Sequence, residues 1–202
     1  GNKNNKGKEI EKEKEKTDIK QPKDDDIPKN KFKIIFLGDS GVGAKTTLIR
    51  RIIGEEFNER VDATFSSNFA RKNVDIGNNE ELILELWDTI GSETFREVNK
   101  FFLKNIDCVV LGYAITSRKS FDAIKYWYQT TKDLNLCNLI YLVGNKIDLY
   151  DSREVSKEEA IQYAESLNLR YFELSCKTDE GINGFYNDLV NHIKELYIAK
   201  TK

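Results

Sequence analysis

Short apolar runs alternate along the chain with segments in which apolar residues recur every three or four positions. The runs are of strand length and are bounded by turn-forming residues, as is typical of buried strands. They predict six strands, at residues 32–37, 68–76, 82–87, 108–115, 139–143 and 171–174. The segments of helical period predict five helices, at residues 45–53, 93–103, 119–132, 156–167 and 181–198.

The turn signal Gly77-Asn78-Asn79 separates the second and third predicted strands, which therefore form an antiparallel hairpin. The other strands alternate with helices, and this order predicts parallel pairing with helices on both faces. The expected fold class is α/β, with a six-stranded, mostly parallel sheet and one antiparallel edge strand. Ligands of such sheets bind outside the carboxyl ends of the strands.

Residues 1–30 have a different texture from the rest of the chain. They are polar, hold both prolines, and alternate Glu and Lys almost strictly over residues 8–16. A segment of this composition cannot bury enough apolar surface to offset its ordering entropy. We therefore expect a disordered tail at 1–30 and one globular domain at 31–202, which is long enough for a sizeable core.

Composition excludes several classes of function. The net charge of −2 shows no basic excess, so nucleic-acid binding is not expected. The single histidine, His192, lies in the last predicted helix, which argues against histidine acid–base chemistry and histidine-rich zinc sites. Three scattered cysteines, without a signal peptide or a transmembrane segment, favour a reduced, cytosolic setting.

A glycine-rich segment connects the first predicted strand to the first predicted helix. Backbone N–H groups of such a loop, with the positive end of the helix dipole, can cradle phosphate oxygens. Lys45 would reach the β- and γ-phosphates, and the Thr46 hydroxyl would ligate Mg²⁺. The alternative is an ordinary glycine-rich turn. The candidate phosphate-binding residues, called the phosphate loop below, are Gly38, Asp39, Ser40, Gly41, Val42, Gly43, Ala44, Lys45, Thr46 and Thr47.

A second candidate motif, Asp88-Thr89-Ile90-Gly91, follows the third predicted strand. Asp88 is placed to hold the Mg²⁺ shell, and the Gly91 N–H group can contact a γ-phosphate. An Asp-capped turn is the alternative interpretation.

Base recognition is predicted where the fifth strand ends, at Asn145, Lys146 and Asp148. A carboxylate can accept two hydrogen bonds from guanine N1–H and N2–H₂, a donor pair that adenine lacks. Sites of this kind can reject the wrong partner by roughly 10⁴–10⁵. The Lys146 stem can cover the ring, and the alternative is a polar loop. Backbone donors for guanine O6 would come from the residues after the last strand, Ser175, Cys176 and Lys177.

In this order, the motifs resemble those of the Ras-superfamily small GTPases, most closely the Rab branch, over residues 31–198. The resemblance implies a P-loop G domain that binds GTP or GDP with Mg²⁺, hydrolyses GTP, and acts in vesicle trafficking. It also implies effector proteins, an exchange factor and a GTPase-activating protein, and a cytoplasmic location that extends to the surface of endomembranes. The Rab-like residues are Trp87, Phe95, Arg96, Ser120, Phe121 and Trp127.

The resemblance also assigns roles to residues that no local pattern singles out. Phe57 would pack against the guanine edge, and Thr64 would ligate Mg²⁺ in the triphosphate state. Residues 55–70 and 90–103 would be the two switch regions, ordered by the γ-phosphate. The catalytic positions would be Lys45, Thr64, Gly91 and residue 92.

Four departures from the family pattern stand out. Ala44 lengthens the phosphate loop by one residue: an ungapped alignment places Ala44 where the family has Lys, whereas an insertion, which we favour, keeps Lys45 and Thr46 in their roles. Ser92 replaces the glutamine that orients the attacking water, so slow hydrolysis is expected. Ser66 replaces a glycine of the first switch. The sequence ends at Lys202 without a terminal cysteine, so it offers no prenylation site.

These departures leave two hypotheses of different classes. The first is a Rab-type switch with slow turnover. The second is a pseudo-GTPase that serves as a scaffold, with impaired nucleotide binding or hydrolysis. A P-loop kinase or ATPase is a poor third, because adenine would leave the Asp148 carboxylate without donors. Gly1 can be interpreted as a myristoylation site lacking the Ser or Thr expected at Asn5, or as a remnant of a cleaved tag.

Overall fold

The computed structural model describes residues 28–59, 68–89 and 104–202. The six strands in these segments form one sheet, in the order β2-β3-β1-β4-β5-β6. Residues 1–27 of the predicted tail, the predicted helix at 93–103, and Thr64, Gly91 and Ser92 lie outside the described residues. The strands are β1 Lys31–Leu37, β2 Asn68–Gly77, β3 Glu80–Asp88, β4 Cys108–Ala114, β5 Ile140–Asn145 and β6 Arg170–Glu173.

Pairing within the sheet confirms the predicted fold class. β1 lies between β3 and β4 and is parallel to both, and β5 is parallel to β4 and β6. β2 is antiparallel to β3 and forms one edge of the sheet. The predicted hairpin is therefore present.

Within the described residues, the helices follow the predicted positions with one correction. The segment predicted as a single helix at 119–132 is two helices that meet at Ala123. At this junction the Tyr126 N–H group donates to the Ala123 carbonyl at 3.0 Å, a tighter i→i−3 turn. The α-helices are α1 Thr46–Ile53, α2 Arg118–Asp122, α3 Ile124–Asp133, α4 Lys157–Ser166 and α5 Ile182–Thr201. A 3₁₀ helix, Ile147–Ser152, was not predicted, because it is short and has no apolar period.

The apolar runs are explained by burial on both faces of the sheet. In β1, the alternate residues Ile34 and Phe36 face a core that they share with Leu48 of α1. The intervening Ile35 and Leu37 face a second core on the opposite side of the sheet, to which α3 contributes. Successive side chains of a strand point to opposite faces, so a strand covered on both sides is apolar at every position.

The loops after four strands meet at the carboxyl edge of the sheet. The phosphate loop follows β1, Asp88 ends β3, Asn145 ends β5, and Ser175 follows β6. Because β1 lies beside β3 and β4, and β4 beside β5, these loops are brought together although they lie far apart in the sequence. The sheet order therefore places the predicted motifs in one region.

The start of α4 provides a test of the local sequence signals. Ser156 is the N-cap, and its hydroxyl accepts a hydrogen bond from the Glu159 N–H group at 3.2 Å. Ser156→Ala should lower the free energy of unfolding by about 1 kcal/mol, because that N–H group loses its acceptor. Ser152→Ala, an exposed serine just before this helix, is the control and should change stability by less than about 0.5 kcal/mol. Urea unfolding of both variants measures the difference, and equal stabilities would contradict the assigned cap.

Candidate functional site

The phosphate loop is organised around the ammonium group of Lys45. This Nζ atom donates to the carbonyl oxygens of Gly38 at 2.8 Å and Asp39 at 2.6 Å. Burial lowers the pKa of Lys45, while the nearby charges of Asp88 and Asp39 act in the opposite direction. A buried cation held by the loop's own carbonyls is well placed to bind an anion that enters the loop.

Thr46 lies next to the carboxylate at the end of β3. Its Oγ1 atom donates to Asp88 Oδ2 at 2.5 Å. The Thr46 hydroxyl therefore lies beside Asp88 and the Lys45 ammonium lies inside the loop, and these are the contacts that the insertion alignment predicts for the two residues. A hydroxyl beside a carboxylate is also an oxygen pair that suits Mg²⁺. Thr47, which follows, is buried in the first turn of α1.

The base-recognition residues form a second cluster. The Ser175 hydroxyl donates to Asp148 Oδ1 at 2.6 Å and accepts from the N–H groups of Lys177 at 3.2 Å and Thr178 at 3.1 Å. Asp148 itself is exposed in the 3₁₀ helix, whereas Ser175 is fully buried. The buried serine, itself held by two backbone N–H groups, therefore fixes an accessible carboxylate that can accept hydrogen bonds from a ligand.

Asn145 connects the two clusters. Its Nδ2 atom donates to the Val42 carbonyl at 3.0 Å, and its Oδ1 atom accepts from the Cys176 N–H group at 3.0 Å. A side chain on Gly43, where φ is +69°, would place its Cβ 2.7 Å from Asn145 Nδ2, so this position needs glycine. The adjacent Lys146 donates from Nζ to the Gly41 carbonyl at 2.9 Å.

The Cys176 thiol belongs to the same cluster. Burial raises the pKa of this thiol to about 12, so it is protonated at neutral pH. Its Sγ atom donates to the Gly43 carbonyl at 3.5 Å. Cys176 thus contributes packing and a weak hydrogen bond to the phosphate loop.

Some contacts of the site were not predicted. Trp127 donates from Nε1 to Asp39 Oδ1 at 3.3 Å, which ties the phosphate loop to α3. Arg51 donates from Nε to Asp179 Oδ1 at 2.9 Å, which ties α1 to the loop after β6. No local signal could have paired these residues, because 88 and 128 positions separate them in the sequence.

The remaining predicted residues divide into two groups. Phe57 is half-buried in the segment that follows α1, close in sequence to Glu59, whose carboxylate pairs with Lys177 at 3.2 Å. Its packing against guanine stays a prediction. Thr64, Gly91 and Ser92 lie outside the described residues, and their roles stay predictions as well.

The sheet order and a phosphate loop between β1 and α1 define a P-loop G domain. The sequence profile of the Ras family matches residues 33–195. Ras-related protein SEC4 of Candida albicans is 33% identical over 170 residues, which are 84% of this chain and 80% of that relative. Human Ras-related protein Rab-30 is 36% identical over 159 residues, 78% of this chain and 77% of that relative. The chain belongs to the Ras family and is a divergent, Rab-like small GTPase.

A third relative supports the same assignment. Ras-related protein Rab-1 of Theileria parva is 36% identical over 168 residues, which are 81% of this chain and 74% of that relative. Among the described residues, no helix has the length and the apolar content needed to span a membrane.

The bridge formed by Asn145 makes a stability prediction. Asn145→Ala should lower the free energy of unfolding by about 2–3 kcal/mol, because it leaves the Val42 carbonyl and the Cys176 N–H group buried without this partner. Asn138→Ala, at an exposed position before β5, should change it by less than about 0.5 kcal/mol. Urea unfolding without added nucleotide separates the two, and a loss below about 1 kcal/mol in Asn145→Ala would contradict the bridging role.

Proposed function

We propose that this protein is a Mg²⁺-dependent guanine-nucleotide switch of the Rab type, with slow GTP hydrolysis, which acts in vesicle trafficking. The observation that carries the proposal is the Asn145 bridge between the phosphate loop and the loop after β6. It holds a phosphate-binding element and a guanine-reading carboxylate as one unit.

The phosphate end would bind through this chain's own donors. Lys45 would exchange the carbonyls of Gly38 and Asp39 for the β- and γ-phosphate oxygens. Thr46, Asp88 and, in the triphosphate state, Thr64 would hold Mg²⁺, which neutralises charge that develops on the phosphates. Backbone N–H groups of the loop and of Gly91 would complete the cradle.

The base end would select guanine. Asp148 would accept from guanine N1–H and N2–H₂, while Ser175 keeps the carboxylate in place. The backbone of Cys176 and Lys177 would face guanine O6, and the Lys146 stem would cover the ring. Adenine would leave the carboxylate without two donors, at a cost of several kcal/mol.

Hydrolysis requires a water that is oriented for attack on the γ-phosphate. Serine at position 92 is too short to take the place of the family's glutamine, so we infer that intrinsic turnover is slow. The phosphate loop and Mg²⁺ would still stabilise the charge of the transition state. The triphosphate state would therefore be long-lived.

Regulation would follow the family pattern, with effector proteins, an exchange factor and a GTPase-activating protein as partners. Phe69, on β2 at the end of the predicted first switch, is 48% exposed and stacks on Trp87 with 5.0 Å between ring centroids. The exposed Phe69 ring, supported by the half-buried Trp87, offers apolar area to a protein partner. We propose a cytoplasmic protein that acts at the surface of endomembranes.

The nucleotide carried by the purified protein tests the proposed function directly. We expect one mole of GDP or GTP per mole of protein after denaturation and anion-exchange chromatography. Asp148→Asn should weaken GDP binding by roughly 10²–10⁴, because two charge-assisted hydrogen bonds are lost. Asp151→Asn, an exposed carboxylate in the same 3₁₀ helix, is the matched control and should leave the affinity unchanged. An empty protein that also refuses added GTP and Mg²⁺ would refute the switch and favour the scaffold.

The slow step gives a separate prediction. Ser92→Gln should raise the single-turnover rate of GTP hydrolysis by roughly 10-fold or more, because a side chain of sufficient length can then orient the water. Ser92→Ala is the control and should keep the slow rate. Equal rates in Ser92→Gln and the unmodified protein would show that residue 92 does not limit turnover.

A further inference from the structure

The extra residue of the phosphate loop is not a surface bulge. Ala44 is fully buried, and it packs in a small cluster with Val42 and with Ala114 at the end of β4. Its methyl group points toward the sheet, while the Lys45 ammonium bonds to the loop carbonyls. The insertion is therefore accommodated on the sheet side of the loop.

The space that Ala44 fills exists because residue 112 of β4 is glycine. A Cβ atom on Gly112 would lie 2.6 Å from the Ala44 Cβ and 3.2 Å from the Ala44 carbonyl oxygen. A separation of 2.6 Å between carbon atoms is far inside their optimal distance of about 3.5–4.0 Å. Gly112 does not have a positive φ, so the backbone does not require glycine here. The requirement is steric.

The strand that carries Gly112 cannot move away to make room. Gly112 is in register with Val143 of β5, and the preceding Leu111 is in register with Leu37 of β1. The Gly112 carbonyl also lies directly against Gly38, where the phosphate loop begins. A side chain at position 112 would have to displace the loop rather than the sheet, because the sheet is paired on both sides.

We propose that Gly112 is a positioning residue of the nucleotide site. Because it has no side chain, it leaves a recess that accepts Ala44. Lys45 is thereby kept in contact with the loop carbonyls, and Thr46 with Asp88. The consequence for nucleotide binding rests on the proposed function. The packing of Ala44 against Gly112 does not, because it is a property of the protein alone. Loop and strand form a matched pair, in which a change of one requires a change of the other.

A two-by-two set of variants of the full chain tests this pairing. The set contains Gly112→Ala, deletion of Ala44, the combination of both changes, and the unmodified protein. Gly112→Ala should lower Tm by about 3–10 °C, as overpacking does in domains of this size. It should also weaken GDP binding about tenfold, the factor that corresponds to one charge-assisted hydrogen bond. Deletion of Ala44 in the Gly112→Ala background should restore most of both losses.

Gly184→Ala is the matched control, because a Cβ at Gly184 in α5 meets nothing within 4 Å. It should not lower Tm or GDP affinity. A Gly112→Ala protein that behaves like this control would overturn the proposal, as would two changes whose effects simply add. If Gly112→Ala yields no folded protein, a folded double variant supports the pairing and an unfolded one overturns it.

The two readouts keep the two proposals apart. Tm is measured without nucleotide and reports the packing alone, whereas the GDP affinity reports the site. Rescue of Tm in a protein that never binds GDP would refute the proposed function and leave the packing pair standing. If the protein binds GDP but the effects of Gly112→Ala and of the Ala44 deletion on Tm and GDP affinity simply add, the packing pair is refuted and the proposed function stands.

Discussion

The site depends on the two hydrogen bonds of the Asn145 side chain. It is buried, donates to the phosphate loop through the Val42 carbonyl, and accepts from the loop after β6 through the Cys176 N–H group. Turning this buried amide away would leave the Val42 carbonyl and the Cys176 N–H group without their partner, which is costly inside a protein. The bridge therefore fixes the distance between the phosphate loop and the loop after β6.

The charges around Lys45 are held in place by contacts within the same site. Lys45 is buried near Asp39 and Asp88, and loop carbonyls complete its hydrogen bonds. Burial of the ammonium is costly, and the two carboxylates offset part of that cost. A phosphate would supply further negative charge at close range. The Trp127 hydrogen bond to Asp39 keeps one of these carboxylates beside the loop instead of in solvent.

The sequence predicted the elements that depend on local pattern. Strands buried on both faces appear as continuous apolar runs, and the β2–β3 hairpin appears as two strand patterns separated by Gly77-Asn78-Asn79. The contacts of Asn145 were beyond reach, since its partners lie 103 and 31 positions away. The junction at Ala123 was missed because the apolar period continues through it. The sequence allowed two alignments, with either Ala44 or Lys45 at the position of the family's lysine. Only distances can decide between them, because they show which side chain faces the loop.

The two departures in the site differ in physical kind. Ala44 adds volume, and volume can be absorbed wherever a neighbour lacks a side chain, as Gly112 does. Ser92 removes reach and a functional group, which no change in packing supplies. Binding depends on the register of Lys45 and Thr46, whereas hydrolysis also depends on the orientation of one water. Under the proposed function, the domain would keep its hold on nucleotide and lose speed in turnover, which would lengthen the triphosphate state.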